Sequence, residues 1–318
     1  MSIPIVLTGP TASGKTEIAL ELAKRLNRVE IISVDSRQVF RYMDIGTAKP
    51  TMEQRKQCPH HFIDIINPDQ SYNAGEFARR ARCLIEKISS KGGIPILVGG
   101  TGLYWQSVVD GFFEDETNYD QVRKALQSQL ERDGLEGLYE ELGRLDPITQ
   151  ARLEPGDTQR ILRGLEVALM GGKTLSDRWR EIEGVGFRGQ IQMIRLSMDR
   201  NRLYERIDKR VEQMIEQGLI GEIRELLEKG YGRKTPALGT LGYLEILDYL
   251  DGVHSLEEAK DQIKRRTRRF AKRQNTWFRR DRRLRELDLD VWGESGVVTR
   301  IIEEWSYRTG VRDFVDSV

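Results

Sequence analysis

Residues 9–16, which read GPTASGKT, restrict what this chain can fold into more than any other feature. They fit the phosphate-binding pattern G-x-x-x-x-G-K-[ST] without a mismatch, between an apolar run at residues 3–8 and a helical pattern at residues 16–26. Glycines in such a loop let backbone N–H groups converge on one anion, and the start of the following helix adds positive potential. The chain is therefore expected to hold a di- or triphosphate near its N-terminus.

Two side chains of this loop have roles that follow from the pattern. Lys15 is expected to neutralise charge on phosphate oxygens, and the Thr16 hydroxyl is placed to ligate Mg²⁺, which we expect as the cofactor. The loop does not indicate which bond of the bound molecule is broken. A small-molecule or nucleoside kinase that uses ATP is one interpretation that the motif allows.

The first hundred residues alternate short apolar runs with helical patterns, which predicts the fold class. This alternation is typical of an α/β fold, here a P-loop NTPase-like parallel sheet with helices on both faces. Residues 114–146 then carry ten acidic and four basic residues, with apolar positions at helical spacing. The chain is therefore predicted to contain a P-loop core with C-terminal helices at residues 1–112 and 190–318, and a helical insertion domain at residues 113–189.

Two polar residues stand where predicted strands end. Asp35 follows one apolar run, and Thr101 follows another together with the glycine turn Gly99-Gly100. Such strand ends face the ligand crevice of a parallel sheet, so both side chains are expected beside the phosphate loop. Asp35 suits a general base, a Mg²⁺ ligand or a turn-capping residue. The glycines suit either close approach of a ligand or a tight turn that needs positive φ.

Charge is segregated along the chain, although the formal net charge is only +1. Residues 260–285 contain thirteen basic and two acidic residues, with Lys264, Arg268 and Lys272 at i, i+4 spacing. Like charges at that spacing repel, so a polyanionic partner, nucleic acid, would relieve the repulsion. The alternative is a solvated helix whose basic residues pair with acids elsewhere and whose aromatic residues pack on the core.

The cysteine content and the apolar runs exclude several classes of protein. Two cysteines, Cys58 and Cys83, rule out a disulfide framework and a four-cysteine zinc site. The first residues do not read as a secretory signal, and no apolar run approaches membrane-spanning length. We therefore expect a cytoplasmic protein without a membrane partner.

Four segments together resemble the family of bacterial tRNA dimethylallyltransferases, also called tRNA isopentenylpyrophosphate (IPP) transferases. They are GPTASGKT at residues 9–16, DSRQVFR at residues 35–41, DIGTAKP at residues 44–50 and GGTGLY at residues 99–104. Shorter matches include QRILR at residues 159–163 and KRQNTWF at residues 272–278, so the resemblance covers nearly the whole chain. The P-loop is shared with many families, whereas DSRQV followed by GGTGLY is far more specific.

The resemblance implies a reaction and a set of site residues. The dimethylallyl group of dimethylallyl diphosphate would pass to N6 of adenosine-37, next to the anticodon of tRNA, giving N6-(dimethylallyl)adenosine and diphosphate. Asp35 would be the general base, Thr101 would help to hold the diphosphate and the substrate base, and Lys15 completes the expected catalytic group. The residues expected to contact tRNA are Asp35, Ser36, Arg37, Gln38, Thr101, Arg123, Gln159, Arg160, Ile161, Leu162 and Arg163, with Arg268, Lys272 and Arg273 from the basic segment.

A departing diphosphate needs positive charge around it. The residues expected to bind it are Gly9, Thr11, Ala12, Ser13, Gly14, Lys15 and Thr16. Arg206 and Arg210, at i, i+4 on one helix face, are further candidates, although a solvated helix face is an equally simple interpretation of that pair.

The chain departs from the family pattern at Phe40, where Tyr is common, so any role of a hydroxyl there is absent. Three functions remain open: a tRNA prenyltransferase, expected to be monomeric, an ATP-dependent kinase, and a nucleic-acid binder with a vestigial P-loop. Intact Lys15 and Thr16 argue against the last.

Overall fold

A computed structural model describes residues 2–113, 117–170, 172–182 and 185–310 of the chain. These residues form two compact units, one from Met1–Gln106 with Gly189–Val318 and the other from Ser107–Arg188. The second unit begins before the change in composition near Phe113, inside a helix that runs from Gly102 to Asp110. Residues 311–318 of the predicted core lie outside the described residues.

The larger unit is built on a six-stranded sheet, in which every pair of neighbours is parallel. Its order is β3-β2-β4-β1-β5-β6. The strands are β1 (Ile5–Thr8), β2 (Val29–Ser33), β3 (His60–His61), β4 (Ile94–Gly99), β5 (Gln192–Ser197) and β6 (Arg285–Asp288).

Thirteen helices occur in the described residues, with one 3₁₀ turn at Pro236–Gly239. They are α1 (Lys15–Arg25), α2 (Met52–Gln57), α3 (Ala74–Ser90), α4 (Gly102–Asp110), α5 (Asp120–Leu145), α6 (Pro147–Gln150), α7 (Thr158–Met170), α8 (Leu175–Glu181), α9 (Arg200–Glu216), α10 (Leu219–Glu228), α11 (Tyr243–Leu250), α12 (Leu256–Arg279) and α13 (Leu289–Thr309).

Strand β6 was not expected, because the sequence after residue 197 predicts helices almost to the end. The strand reads RELD, and of its side chains only Leu287 is buried. It lies at the edge of the sheet and pairs with one neighbouring strand, β5. A short charged edge strand lacks the apolar run by which a central strand is recognised.

Both faces of the sheet are covered by helices, which confirms the predicted fold class. Ile5 and Leu7 of β1 point into a cluster that contains residues of α1 and α13, including Leu22 and Ile301. Val6 points to the other face and is also buried. There α3 contacts β4. The strands are therefore apolar on both sides, as expected of a buried parallel sheet.

The smaller unit is helical and has a core of its own. α5 changes direction at Gly134, where φ is 78°, and Leu126 and Leu142 from its two parts meet in one cluster with Leu165 of α7. Gly164 permits the close packing of α7 on α5, because a Cβ there would lie 2.7 Å from the Leu142 side chain.

None of the helices in the part of the chain that the structure describes is long and apolar enough to span a bilayer.

Trp305 and Tyr307 of α13 provide a matched test of this packing. The Trp305 side chain is buried against the sheet and its Nε1 donates to the Ile3 carbonyl at 2.8 Å, whereas Tyr307 is 90% exposed. We expect Trp305→Ala to lower the free energy of unfolding by ~3–5 kcal/mol, because it leaves a cavity and an unpaired carbonyl. Tyr307→Ala should change it by less than ~0.5 kcal/mol. Urea denaturation of both variants is the measurement, and equal effects would contradict the assigned packing.

Candidate active site

The P-loop follows β1 and leads into α1, as its sequence predicts. Gly9 and Gly14 have φ of 151° and 86°, a region that L side chains rarely adopt. A Cβ at Gly9 would also lie 3.0 Å from the Leu196 carbonyl oxygen of β5. Both glycines are therefore required by the backbone path that shapes the anion site.

Lys15 lies folded against its own loop. Its Nζ donates to the carbonyls of Pro10 at 2.6 Å and Gly9 at 3.0 Å. Burial lowers the pKa of Lys15 to about 7, and the charge of Arg210 lowers it further, while Asp35 opposes the shift. The lysine is therefore on the edge of ionisation near neutral pH, and an anion placed beside it would restore its charge.

A cavity of about 1140 Å³ opens beside the P-loop. Its lining includes Thr16, Asp35, Arg206 and Arg210. Arg206 Nη1 lies 3.8 Å from Glu294 Oε1, a loose contact. Arg210 makes no hydrogen bond or ion pair with any residue that the structure describes, and burial lowers its pKa. Since both arginines line the cavity, their position favours the expected diphosphate-binding role over a merely solvated helix face.

Asp35 begins the turn after β2 and lines the cavity with one oxygen already engaged. Its Oδ1 accepts from the backbone N–H of Arg37 at 2.8 Å and, at 3.4 Å, of Gln38. No hydrogen bond to Oδ2 occurs within the described residues. The turn-capping role is thus real, but it uses one oxygen and leaves the other available for a proton or a metal ion.

Thr101 joins the turn after β4 to the turn after β2. Its Oγ1 accepts from the Ser36 N–H at 3.1 Å, and its own N–H donates to the Val34 carbonyl at 3.2 Å. The hydroxyl proton remains free to be donated elsewhere. β2 and β4 are neighbours in the sheet, which is why Asp35 and Thr101 meet at its carboxyl edge.

The glycines of the second turn are not explained by a turn with positive φ, which was one of the two expected reasons. Gly99, Gly100 and Gly102 all lack positive φ, so a left-handed turn is not the reason. A Cβ at Gly99 would lie 2.0 Å from the Val34 carbonyl oxygen, and Cβ atoms at Gly100 and Gly102 would each lie 2.3 Å from a side chain of α12. All three glycines therefore closely approach protein atoms, and since Gly99 and Gly100 also line the cavity, their approach to a ligand stays a prediction.

Gln274 is a site residue that the sequence analysis missed. It lies on the buried face of α12 and is 7% exposed. Its Oε1 accepts from the Thr11 N–H at 2.8 Å, and its Nε2 donates to the Gly100 carbonyl at 2.9 Å. A signal was present, because an amide at this position shares a helix face with Ala271 and Phe278, both buried.

The DIGTAKP segment, residues 44–50, is hydrogen-bonded to Gln38 in the turn that follows Asp35. Gln38 Nε2 donates to the Ala48 carbonyl at 3.2 Å, and Gln38 Oε1 accepts from the Ser33 hydroxyl at 2.8 Å. The buried Lys49 donates to Asp64 Oδ1 at 2.5 Å and to the Phe40 carbonyl at 2.6 Å. Gln38, expected to contact tRNA, thus also fixes the loop behind Asp35.

Glu222 of α10 holds the same segment from the other end. Its carboxylate accepts from the N–H groups of Asp44 at 2.7 Å, Ile45 at 2.6 Å and Gly46 at 3.1 Å, and from the Tyr243 hydroxyl at 2.6 Å. His60 bonds to the Cys58 carbonyl and His61 bonds to the Glu30 carboxylate. No group of three or more metal-binding side chains occurs among the described residues.

The basic residues of α12 divide into two sets. Lys264 pairs with Glu212 at 2.5 Å, Arg266 pairs with Glu245, and Arg268 is held by both oxygens of Asp208. The expected set of free basic residues is thus corrected at Arg268, whose charge is matched inside the protein. Five exposed residues of α12 have no acidic partner in the described part of the chain: Arg265, Arg269, Lys272, Arg273 and Arg279. We call the first four of them the basic stripe.

The aromatic residues of α12 were expected to face inward, and Phe270 does not. Phe278 is buried and Trp277 packs on Gly102, but Phe270 is 39% exposed, with the Arg273 guanidinium 5.7 Å from its ring centre. The Phe270 ring therefore lies between the cavity, which it helps to line, and Arg273 of the basic stripe.

Within the smaller unit, two of the expected tRNA-contacting arginines share one acid. The nearly buried Glu166 accepts from Arg123 Nε at 2.8 Å and from Arg163 Nη1 at 3.1 Å, and the Arg163 guanidinium lies 4.5 Å from the Tyr119 ring centre. Gln159 and Arg160 are exposed. Ile161 is fully buried in the core of the unit and Leu162 packs against it, so the expectation of tRNA contact by the Ile161 side chain is corrected.

Fold and site together define a P-loop α/β enzyme in which Asp35 lines the same cavity as the anion site, while Thr101 bonds to the Asp35 turn but is not among the residues that line that cavity. The sequence model of the family described as IPP transferase matches residues 38–281. The tRNA dimethylallyltransferase of Pelotomaculum thermopropionicum is 41% identical over 301 residues, covering 94% of each chain. That of Carboxydothermus hydrogenoformans is 43% identical over 312 residues, covering 98% of each chain.

Solved structures agree with these relatives. The tRNA isopentenylpyrophosphate transferase of Bacillus halodurans is 38% identical, with a TM-score of 0.69 and coverage of 98% of this chain and 99% of that chain. A eukaryotic dimethylallyltransferase described as acting on tRNA is 27% identical, with a TM-score of 0.79 and coverage of 98% and 80%. The chain belongs to the IPP transferase family and is a prenyltransferase, which confirms the resemblance drawn from its motifs.

The pKa of Lys15 generates a prediction about proton uptake. With a pKa of about 7, Lys15 is mostly neutral at pH 8 and mostly charged at pH 6. A bound diphosphate raises this pKa, so we expect binding at pH 8 to take up nearly one proton at Lys15 and binding at pH 6 to take up far less. Calorimetric titration of pyrophosphate in two buffers of different ionisation enthalpy measures the uptake. Lys15→Gln serves as the control for protons that pyrophosphate takes up by itself, and equal uptake in both proteins would contradict the assignment.

Proposed function

We propose that this protein transfers the dimethylallyl group of dimethylallyl diphosphate to N6 of adenosine-37 in tRNA, releasing diphosphate. The observation that carries the proposal is the single cavity that joins the P-loop to Asp35, in a chain whose relatives are named tRNA dimethylallyltransferase. The relatives favour this function over the ATP-dependent kinase. A monomeric state and a cytoplasmic location are part of the same proposal.

The donor half of the cavity suits a departing diphosphate. The negative charge on the leaving oxygens grows as the C–O bond breaks, and fixed donors aimed at that charge lower the barrier. The P-loop amides, Lys15 and the unpaired guanidinium of Arg210 surround this position. Since Lys15 releases its present contacts with the Gly9 and Pro10 carbonyls only for a better acceptor, a strongly charged anion is the ligand that suits it.

Mg²⁺ fits the donor half with few protein ligands. Thr16 and Asp35 line the same cavity, and Asp35 Oδ2 has no hydrogen bond within the described residues. Mg²⁺ keeps several waters and binds through one or two protein groups with substrate phosphates, so the lack of a three-residue metal cluster in the described residues is compatible with it. When bound, the ion would neutralise charge on the diphosphate.

The acceptor half suits an exocyclic amine. The adenine N6 amine is a poor nucleophile because its lone pair is delocalised into the ring, so a carboxylate that accepts its proton as the C–N bond forms is valuable. Asp35 Oδ2 is available for this proton, while Oδ1 is held by the backbone of the turn. The free hydroxyl proton of Thr101 is available for a ring nitrogen or a phosphate oxygen. The target base must leave its stack to enter such a cavity.

The tRNA partner is supported by the basic stripe on α12. Basic residues without internal acids bind a phosphate backbone by releasing its counterions, whereas residues already paired, such as Arg268, release fewer. The smaller unit adds Gln159 and Arg160 as exposed groups, and Glu166 fixes the direction of Arg123 and Arg163.

Mass analysis of nucleosides from tRNA treated with the protein, dimethylallyl diphosphate and Mg²⁺ tests the proposed function. Dimethylallyl-adenosine is the expected product, and its absence would contradict the proposal.

Asp35→Asn separates the general base from the turn cap. The asparagine carbonyl can still accept from the Arg37 N–H, but the amide cannot accept a proton from the substrate. We expect kcat to fall by about 10²–10⁴-fold, with tRNA affinity changed less than about threefold. Steady-state kinetics and filter binding measure the two effects, and the control is Asp69→Asn, at an exposed acid outside the cavity. Unchanged kcat in Asp35→Asn would remove Asp35 as the base.

Charge reversal in the basic stripe tests the tRNA surface. We expect Arg269→Glu combined with Lys272→Glu to weaken tRNA binding and to reduce the slope of log K against log salt by about 1–2 units. Lys87→Glu combined with Lys91→Glu makes the same change in net charge at exposed positions of α3 and the turn after it. Binding titrations between low and moderate salt measure both slopes. Equal slopes in the two double variants would contradict a role of the stripe in tRNA binding.

A further inference from the structure

Helix α12 has two sides that serve different halves of the proposed reaction. Its exposed side carries the basic stripe, and its buried side carries Gln274 and Trp277, which contact the turns of the cavity. Arg273 and Gln274 are adjacent in the chain, so the two sides are joined through the backbone of one helical turn.

Gln274 links the P-loop to the turn that carries Thr101. Its side-chain oxygen accepts from the Thr11 N–H at 2.8 Å, and its side-chain nitrogen donates to the Gly100 carbonyl at 2.9 Å. A neutral amide offers an acceptor and a donor at the same end of one side chain, which is what this bridge requires. Gln274 itself is 7% exposed, and losing it would remove the partner of both backbone groups.

The glycine turn is shaped to receive this helix. A Cβ at Gly100 would lie 2.3 Å from Gln274 Nε2, and a Cβ at Gly102 would lie 2.3 Å from Trp277 Nε1. The turn and α12 therefore cannot shift relative to one another without losing both the contact and the hydrogen bond. Any force that fixes α12 also fixes the backbone on both sides of the cavity.

We propose that Gln274 is a positioning residue that couples tRNA binding on the basic stripe to diphosphate binding in the P-loop. The proposal rests on the proposed function, since it assumes that tRNA binds the stripe. A polyanion bound to the stripe would restrain α12, and Gln274 would pass that restraint to Thr11 of the P-loop and to Gly100 next to Thr101. A ligand that meets a site already ordered by another binds more tightly, and the effect is reciprocal.

Pyrophosphate binding with and without RNA measures this coupling without any chemical step. We would titrate pyrophosphate and Mg²⁺ into the full-length protein, alone and with a saturating anticodon stem-loop RNA that carries adenosine at position 37. For the wild-type protein we expect the RNA to tighten pyrophosphate binding by about tenfold. In Gln274→Met, which has similar volume and lacks both hydrogen bonds, the factor should fall below about twofold.

Two further variants distinguish coupling from simple loss of structure. Gln274→Glu retains an acceptor for the Thr11 N–H but loses the donor to Gly100, so we expect an intermediate factor at pH 8. Protonation of the introduced carboxyl at lower pH supplies a donor again, and the factor should rise relative to that of the wild-type protein at the same pH. Thr276→Ala, on the exposed side of α12, is the matched control and should retain the wild-type factor.

The outcomes separate this inference from the proposed function. A wild-type factor of one, or a wild-type factor retained in both folded Gln274 variants, overturns the coupling. If Gln274→Met fails to fold, as judged by thermal melting, Gln274→Glu and its pH dependence give the answer in its place. The nucleoside assay on wild-type protein is independent: its failure contradicts the prenyl transfer, whereas the binding factor reports only on Gln274.

Discussion

The cavity beside the P-loop concentrates positive charge that the chain itself does not fully neutralise, and the arrangement of the larger unit depends on this imbalance. Lys15 and Arg210 are both shifted toward neutrality by burial and by proximity to one another or to Arg206. A protein that only needed to fold would not keep two such groups together, because each raises the cost of charging the other. A strongly charged anion removes that cost, so the site is most stable when it is filled.

The same excess of positive charge explains why the loops around the cavity are held by so many hydrogen bonds. Glu222 ties down three successive N–H groups of the segment behind Gln38, and Gln274 ties the P-loop to the turn after β4. Without an anion, repulsion between cations would push the loops apart. Hydrogen bonds from residues on α10 and α12 oppose this movement, so the anion site is preorganised before its ligand arrives.

Local patterns predicted the parts of this site whose chemistry lies in neighbouring residues. The P-loop can be recognised from the sequence because its glycines, Lys15 and Thr16 lie within eight consecutive residues. Asp35 and Thr101 were predicted as site residues because strand ends face the crevice of a parallel sheet. The contacts of Gln274 could not be read in this way, since Thr11 lies 263 positions earlier in the chain. The pairing of Arg268 with Asp208 and the purpose of Gly100 were missed for the same reason: each depends on a partner that only the fold brings near.

The division of basic residues on α12 has a further consequence for how the protein would use nucleic acid. Arginines held by acids, such as Arg268 on α12 and Arg163 in the smaller unit, keep a fixed direction but offer little net charge. Those of the basic stripe have the opposite properties, since they are exposed and have no acidic partner in the described residues. Under the proposed function, the stripe would supply long-range, salt-sensitive attraction for tRNA, while the paired arginines would supply donors of fixed direction. Because Gln274 joins the two sides of this helix, tRNA binding on the stripe would also act on the backbone of the cavity.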